Sequence, residues 1–386
     1  MVTRRHALGL VGGGLVTAGL PHLAFAAAET DKRLVVVLLR GAMDGLSAVP
    51  AIGDPDYERA RNGLAQEGVL KLDSTFGLHP NLAGMKVLYD SGELIVVHAV
   101  ATPYRDRSHF DGQNLLENGS EKPYGLDTGW LNRALAQMPG SGKPLGVALN
   151  SHMPLMMRGP APVTSWAPSL LAPPDGDTVQ RLAALYGETD PLLARDFANA
   201  QGANSVAMGA GGDGGYQAFA GLMTAAAKFL RTPDGERVAM VEIGGWDTHV
   251  NQAGAFSPLS TNLLTLDKGI TALRTALGPV WKDTAVLIVS EFGRTVAMNG
   301  TQGTDHGTAG AVFVAGGAIK GGGVIADWPG LKPASLYQAR DLMPTTDFRT
   351  IATGVLRDHM GLQGMQLAAV FPSSAPIMPR DGLIRA

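Results

Sequence analysis

"RLVVVLLRGAMDGL", residues 33–46, sets six apolar residues in unbroken succession before a glycine-bearing loop. A run of strand length with no polar alternation reads as a strand buried on both faces. The same signature returns in "GELIVVHAV" (92–100), "LGVAL" (145–149), "RVAMVEIGG" (237–245), "AVLIVSEFGR" (285–294) and "AGAVFVAGG" (309–317). Between these runs lie helical patterns, "NLAGMKVLYDSG" (81–92), "YQAFAGLMTAAAKFLR" (216–231) and "STNLLTLDKGITALRTALGP" (260–279). In the last of them Leu263, Leu266, Ile270, Leu273 and Leu277 share one face. Buried strands alternating with helices predict an α/β fold, a mostly parallel sheet sandwiched by helices.

Composition agrees with one large globular domain. The chain has 386 residues, 45% of them hydrophobic, with 51 glycines, about twice the usual share. An excess of glycine at that level belongs in tight turns and close-approach loops. The absence of cysteine excludes disulfides, thiol nucleophiles and thiolate-ligated metals. A net charge of −3 gives no basic patch for nucleic acid.

The first 26 residues pair Arg4 with Arg5, continue through a glycine-rich apolar stretch, and reach an Ala24-Phe25-Ala26 cleavage-like step. They read as a twin-arginine export signal, which makes the export machinery a partner and the periplasm or the bacterial exterior the destination. Glycines and Pro21 leave the stretch short of the ~20 apolar residues that a stable membrane span needs. Residues 27–386 then form the domain, with about 151–215 as a helical or loop insertion or cap in the middle third. The low-complexity segment 201–215 reads as its flexible loop. The final helix is expected within 345–361, capped by Thr346 or Asp347 and stopped at Gly361.

Open parallel sheets place their sites beyond the carboxyl ends of the strands. Asp44 follows the first run. Glu242, Asp247 and His249 follow the one at 237–245, and Glu291 and Arg294 follow the one at 285–294; His306, in "TDHG" (304–307), precedes the last. Asp247 and His249 would point apart on a helix, but on a loop they can share a side. These six carboxylate and imidazole side chains suit Zn²⁺, Mn²⁺, Fe²⁺ or Mg²⁺, one or two ions, with His109 and Asp305 as further ligand candidates. Ser108, at a probable helix start, is either a nucleophile or a plain N-cap; Thr102 is a second hydroxyl candidate, and a metal-bound hydroxide is the alternative to both. Arg294, and after it Arg107, either grips substrate oxygens or pairs with a carboxylate. His79, His98 and His152 carry no expectation of a role, and His359 falls where a cation would suit a helix C-terminus.

Together "LLRGAMDGL", "RSHFDGQ", "GGWDTHVNQ", "SEFGRT" and "TDHG" resemble the exported bacterial domain of unknown function 1501, a branch of the alkaline phosphatase and sulfatase-like superfamily, over roughly 33–360. The resemblance implies an alkaline-phosphatase-like fold and two ions, one among Asp44, Glu242 and Glu291, the other among Asp247, His249 and His306. Where phosphatases carry Asp-His at the late strand this chain has Glu291-Phe292, so the corresponding histidine ligand is missing and one ion is weak or absent unless His109 or Asp305 completes the set. The absence of cysteine and of a Ser-x-Pro-x-Arg pattern speaks against a formylglycine-dependent sulfatase. The expected function is an exported metal-dependent hydrolase of phosphate or sulfate esters, small-molecule or polysaccharide. The alternative is a non-catalytic secreted relative that binds a polysaccharide or protein partner.

Overall fold

The computed structural model describes residues 30–139, 143–169, 175–207, 215–254 and 256–386, so the proposed export signal lies outside the described residues. The strands are β1 (Arg33–Leu39), β2 (Leu70–Lys71), β3 (Gly77–Leu78), β4 (Leu94–Ala101), β5 (Gly146–Leu149), β6 (Val163–Ser165), β7 (Val238–Ile243), β8 (Thr284–Ser290), β9 (Gly310–Ala315), β10 (Gly323–Ile325) and β11 (Thr346–Asp347). Nine of them form one sheet in the order β10-β4-β9-β8-β1-β7-β5-β6, with β11 also on β4, while β2 and β3 pair separately. All pairings in the large sheet are parallel except those of β9, which runs antiparallel to both β4 and β8.

The central strand shows why its sequence does not alternate. Val35, Val37 and Leu39 pack into one core with the helices Gly215–Arg231 and Pro258–Leu277; Leu34, Val36 and Leu38 pack into another with Trp130–Gln137 and Phe348–Asp358. Both faces are covered, so both registers are apolar, and each such side chain contributes about 1.5–3 kcal/mol by burial. The helix Pro258–Leu277 starts with Pro258 in its first turn and Ser257 as N-cap, whose hydroxyl accepts from Ser260 N at 3.1 Å. Its five expected core residues are all fully buried.

Three expectations need correction. The low-complexity segment is not loop throughout, because Gln201–Ala207 complete the helix Pro191–Ala207. Alanine and serine there propagate a helix better than their low complexity suggests. Within the middle third, β6 extends the edge of the sheet through β5. The helix Gly176–Thr189, in the same third, buries none of its residues. Finally, the helix Phe348–Asp358 has one of its two expected caps, Asp347, which accepts from Arg349 N at 2.8 Å, but it is not the last, because Gly364–Val370 follows. His359 at that helix end is buried, and burial holds its pKa down to about 4, so it is neutral and gives the helix dipole no cation.

The reversed strand decides where the site falls. The strands parallel to β1 all end at one edge of the sheet. Because β9 runs the other way, it starts there. The loops after β1, β4, β5, β7 and β8 and the loop before β9 therefore share one rim.

Candidate metal centre

Past β7 the chain turns through Gly244 and Gly245, the latter at φ +90°, and Trp246 is buried with its indole N–H donating to Ile243 O at 3.1 Å. That anchor aims Asp247 outward. A Cβ on Gly41, at φ +118°, would stand 2.7 Å from Asp247 N, so the loop after β1 packs backbone against backbone on it. His249 is fixed through its carbonyl, which accepts from Asn299 Nδ2 at 3.0 Å and Thr301 Oγ1 at 2.7 Å. His306 comes from the loop bridged to Arg294, and His109 from the first turn of the helix His109–Asn118.

These four side chains converge. Asp247 Oδ1 lies 3.0 Å from His249 Nε2, 3.2 Å from His306 Nε2 and 3.4 Å from His109 Nε2, and the Nε2 atoms of His249 and His306 are 3.0 Å apart. His109, Asp247 and His306 form one group whose ligand atoms all lie within 4.8 Å of one another. Every imidazole is pinned by its other nitrogen. His109 Nδ1 meets Glu291 Oε1 at 2.8 Å, His249 Nδ1 meets Asp305 Oδ1 at 3.2 Å, and His306 Nδ1 meets Arg107 O at 2.9 Å. Each of those partners is an acceptor, so each neutral ring carries its proton on Nδ1 and turns a lone pair inward on Nε2.

The consequence is a cluster of four electron-pair donors facing one another, two of them nitrogens at 3.0 Å. No hydrogen bond can join two lone pairs. His109 Nε2 is buried without any hydrogen-bond partner, its 3.4 Å approach to Asp247 being misaligned for one. A divalent cation resolves both features. A tetrahedral ion with bonds of about 2.0–2.1 Å holds its ligand atoms about 3.3 Å apart, beside 3.0–3.4 Å for the three approaches to Asp247 Oδ1 and the His249–His306 pair and up to 4.8 Å across His109, Asp247 and His306.

Charge around the cluster is balanced locally. The hydrogen bond that His109 donates to Glu291 raises the His109 pKa against the opposing effect of burial, whereas burial lowers that of His306. Burial would raise the carboxyl of Asp247, but Arg294 Nη1, donating at 2.6 Å, brings it below the usual range. Glu291 is likewise lowered despite burial, by the hydrogen bonds of His109 and of Gln113, the latter at 3.0 Å. The hydrogen bond from Asn299 lowers Asp305.

The other expected residues have different places. Asp44 caps the short helix Gly45–Ala48, and its carboxylate also accepts from Arg61 at 2.6 Å and from Gln252 at 2.5 Å, all of it buried. Glu242 is held by Arg40 at 2.5 Å and Asn150 at 2.8 Å. Glu291 reaches the cluster only through His109. The grouping of Asp44, Glu242 and Glu291 around an ion of their own is thus not assembled: two are committed to arginines and the third to an imidazole. Phe292, in place of a histidine, stacks on the His109 ring at 5.1 Å and walls that side. Arg294 is buried and spends its donors on Asp247, Thr304 Oγ1 and Thr304 O, so it pairs with a carboxylate and does not face substrate. Ser108 is the N-cap of His109–Asn118 with a long 3.5 Å bond from Asp111 N, and Thr102 is buried.

A signal that patterning could not supply is backbone strain. Ala42, Arg107, Asn251 and Gln302 all have positive φ, and each lies within a few residues of a residue named above.

Several solved structures are faintly similar. The C-terminal periplasmic domain of EcEptC from Escherichia coli, in complex with Zn, is 10% identical, with 74% of this chain and 72% of that one covered at TM-score 0.38. The lipoteichoic acid synthase LtaP from Listeria monocytogenes is 9% identical, with 93% and 77% covered at 0.40. The PsFucS1 sulfatase from Pseudoalteromonas sp. is 12% identical, with 92% and 74% covered at 0.40. Likeness at this level says nothing about the chemistry of the site. No curated protein matches the sequence. The sequence profile of the family described as protein of unknown function (DUF1501) matches residues 96–371, a span that includes His109, Asp247, His249 and His306. The chain belongs to the DUF1501 family.

Proposed function

We propose that this protein is an exported hydrolase of phosphate or sulfate esters that works with one divalent ion held by His109, Asp247, His249 and His306. The observation that carries the reading is the meeting of the Nε2 atoms of His249 and His306, 3.0 Å apart, with Asp247 Oδ1 at 3.0 and 3.2 Å from them. An ion there would supply Lewis acidity, drawing charge from an ester or oxyanion oxygen. The chain's own residues supply orientation. Glu291, Asp305 and the Arg107 carbonyl hold the rings, a second layer of contacts that typically governs metal affinity. Arg294 fixes Asp247. The Ser108 hydroxyl, one residue before His109 and the acceptor of a long bond from Asp111 N, is the side-chain nucleophile of this reading.

Four protein ligands are also the number in a purely structural site, which would favour the binding alternative. Exposure favours chemistry. The side chains of Asp247 and His249 are 43% and 39% exposed, so the centre opens to solvent instead of being enclosed. The test is metal content of the purified protein together with turnover of aryl phosphate, phosphodiester and sulfate esters. One ion per chain, with turnover lost in Asp247→Ala and on chelation, supports the proposal. Bound metal with no turnover of any ester transfers the weight to a binding protein.

A further inference from the structure

An anionic ester needs a cation beyond the ion, and four arginines near the rim are already spent. Arg294 is buried on Asp247 and Thr304, and Arg40 divides its guanidinium among Gln113, Glu117 and Glu242. Arg105 bonds the carbonyls of Thr102 and Tyr104. Arg107 donates to Asp341 Oδ2 at 2.8 Å and Gln338 Oε1 at 2.7 Å and lies over the Tyr337 ring at 5.8 Å. Arg340 differs. Its guanidinium has one hydrogen bond, from Nη2 to His306 O at 2.9 Å; Nη1 stands 3.7 Å from Asp341 Oδ1, and the side chain is 41% exposed.

The turn that presents Arg340 is built for a fixed position. Gln338 and Ala339 both take left-handed φ, at 54° and 53°, and Tyr337 and Asp341 close the turn as a bridged pair. Such consecutive strained residues persist only where their surroundings hold them. Arg107 does the holding, and the same residue accepts from His306 Nδ1 and leads into Ser108 and His109. The partly engaged Arg340 guanidinium and the imidazoles are thus tied to one segment. Of its acidic neighbours, Asp305 is engaged by His249 and Asn299 and Asp341 Oδ2 by Arg107, while the buried Asp341 Oδ1, without a hydrogen bond, draws on Nη1 across 3.7 Å and leaves Nε of Arg340 unspent.

We infer that Arg340 is the substrate anchor, its unspent N–H groups gripping the non-bridging oxygens of a tetrahedral dianion or monoanion that also reaches the His109–Asp247–His249–His306 centre. This rests on the reading of that centre as a metal site for anionic esters and names the residue that selects them. A planar fork matches two oxyanion oxygens at once, which a lysine ammonium cannot do.

The test uses metal-loaded full-length protein and inorganic phosphate and sulfate as probes in calorimetric titrations. Arg340→Gln should weaken binding of the preferred anion by at least about tenfold, with metal content unchanged, and Arg340→Lys should recover part of it. Arg195→Gln, an exposed arginine on the helix Pro191–Ala207, serves as the control and should bind as the parent does. Parent protein that binds neither anion, or Arg340→Gln protein that binds as tightly as the parent, overturns the inference. If Arg340→Gln loses the anion but the parent turns over no ester, the anchor stands and the hydrolase reading fails. If esters are turned over and the variant's KM is unmoved, the anchor fails and the hydrolase reading stands.

Discussion

At the scale of single residues, ordinary side chains are sorted by what their second atom touches. Asp247, His249 and His306 are legible from sequence because each sits in a loop beside a buried strand, two of them two positions apart. Glu291 looks like the same kind of residue, yet its carboxylate receives His109, Gln113 and the Gly41 backbone N–H. A strand-end acid reads alike whether it faces an ion or orients an imidazole. We expect Glu291→Gln to retain the fold but lower metal affinity by about 10–100-fold, read by competition with a chromogenic chelator. Unchanged affinity would mean that the His109 ring needs no such support. Asp44 was illegible for another reason: Arg61 shows no spacing motif that marks it as a partner. Arg61→Met should leave a buried carboxylate without its cation and cost about 3–5 kcal/mol in denaturant unfolding. Burial works to raise the Asp44 pKa, but Arg61 carries it below the ordinary carboxylate value. That contribution is therefore complete above the unfolded value of about 3.9 and fades as pH falls toward the depressed folded one. If the Arg61 variant unfolds at the parent's midpoint, the pair does not stabilise the fold.

At the scale of elements, the alternation of apolar runs and helices was enough to foresee the sheet and its covering layers. The reversal of β9 was not, because a strand buried on both faces looks the same in either direction. It is this reversal that lets His306 precede its strand and still reach the common rim. Packing of the rim loops depends on glycines that pattern alone does not explain. A Cβ on Gly303 would lie 2.2 Å from the His249 carbonyl, and one on Gly41 would press on Asp247 N. Gly303→Ala should displace His249 and weaken metal binding by on the order of tenfold or more while helical circular dichroism stays at the parent level. Parent-like affinity in that variant would show that the loop carrying His249 can yield without moving the ring.

For the whole molecule, the stability profile should carry the mark of histidines with no part in the centre. Burial depresses His79, His98 and His359 to about 4 each. Their unfolded forms take up protons near 6.5 and the folded forms do not, so the stability these three histidines contribute is lost as pH falls from about 6.5 toward 4, and below that the depressed carboxylates take over the loss. Thermal unfolding of chelator-treated protein across that range checks it, and a flat profile would contradict the assigned neutrality. The rim itself gathers loops from across the sheet, and the account stands on what they assemble. The most direct measurement is metal stoichiometry by elemental analysis of the parent beside His109→Ala, His306→Ala and Glu242→Gln proteins. One ion per chain in the parent and in Glu242→Gln, and a large loss in both histidine variants, is the predicted result. Two ions in the parent, or metal that survives loss of His109 and of His306 but departs with Glu242, would contradict the single centre described above.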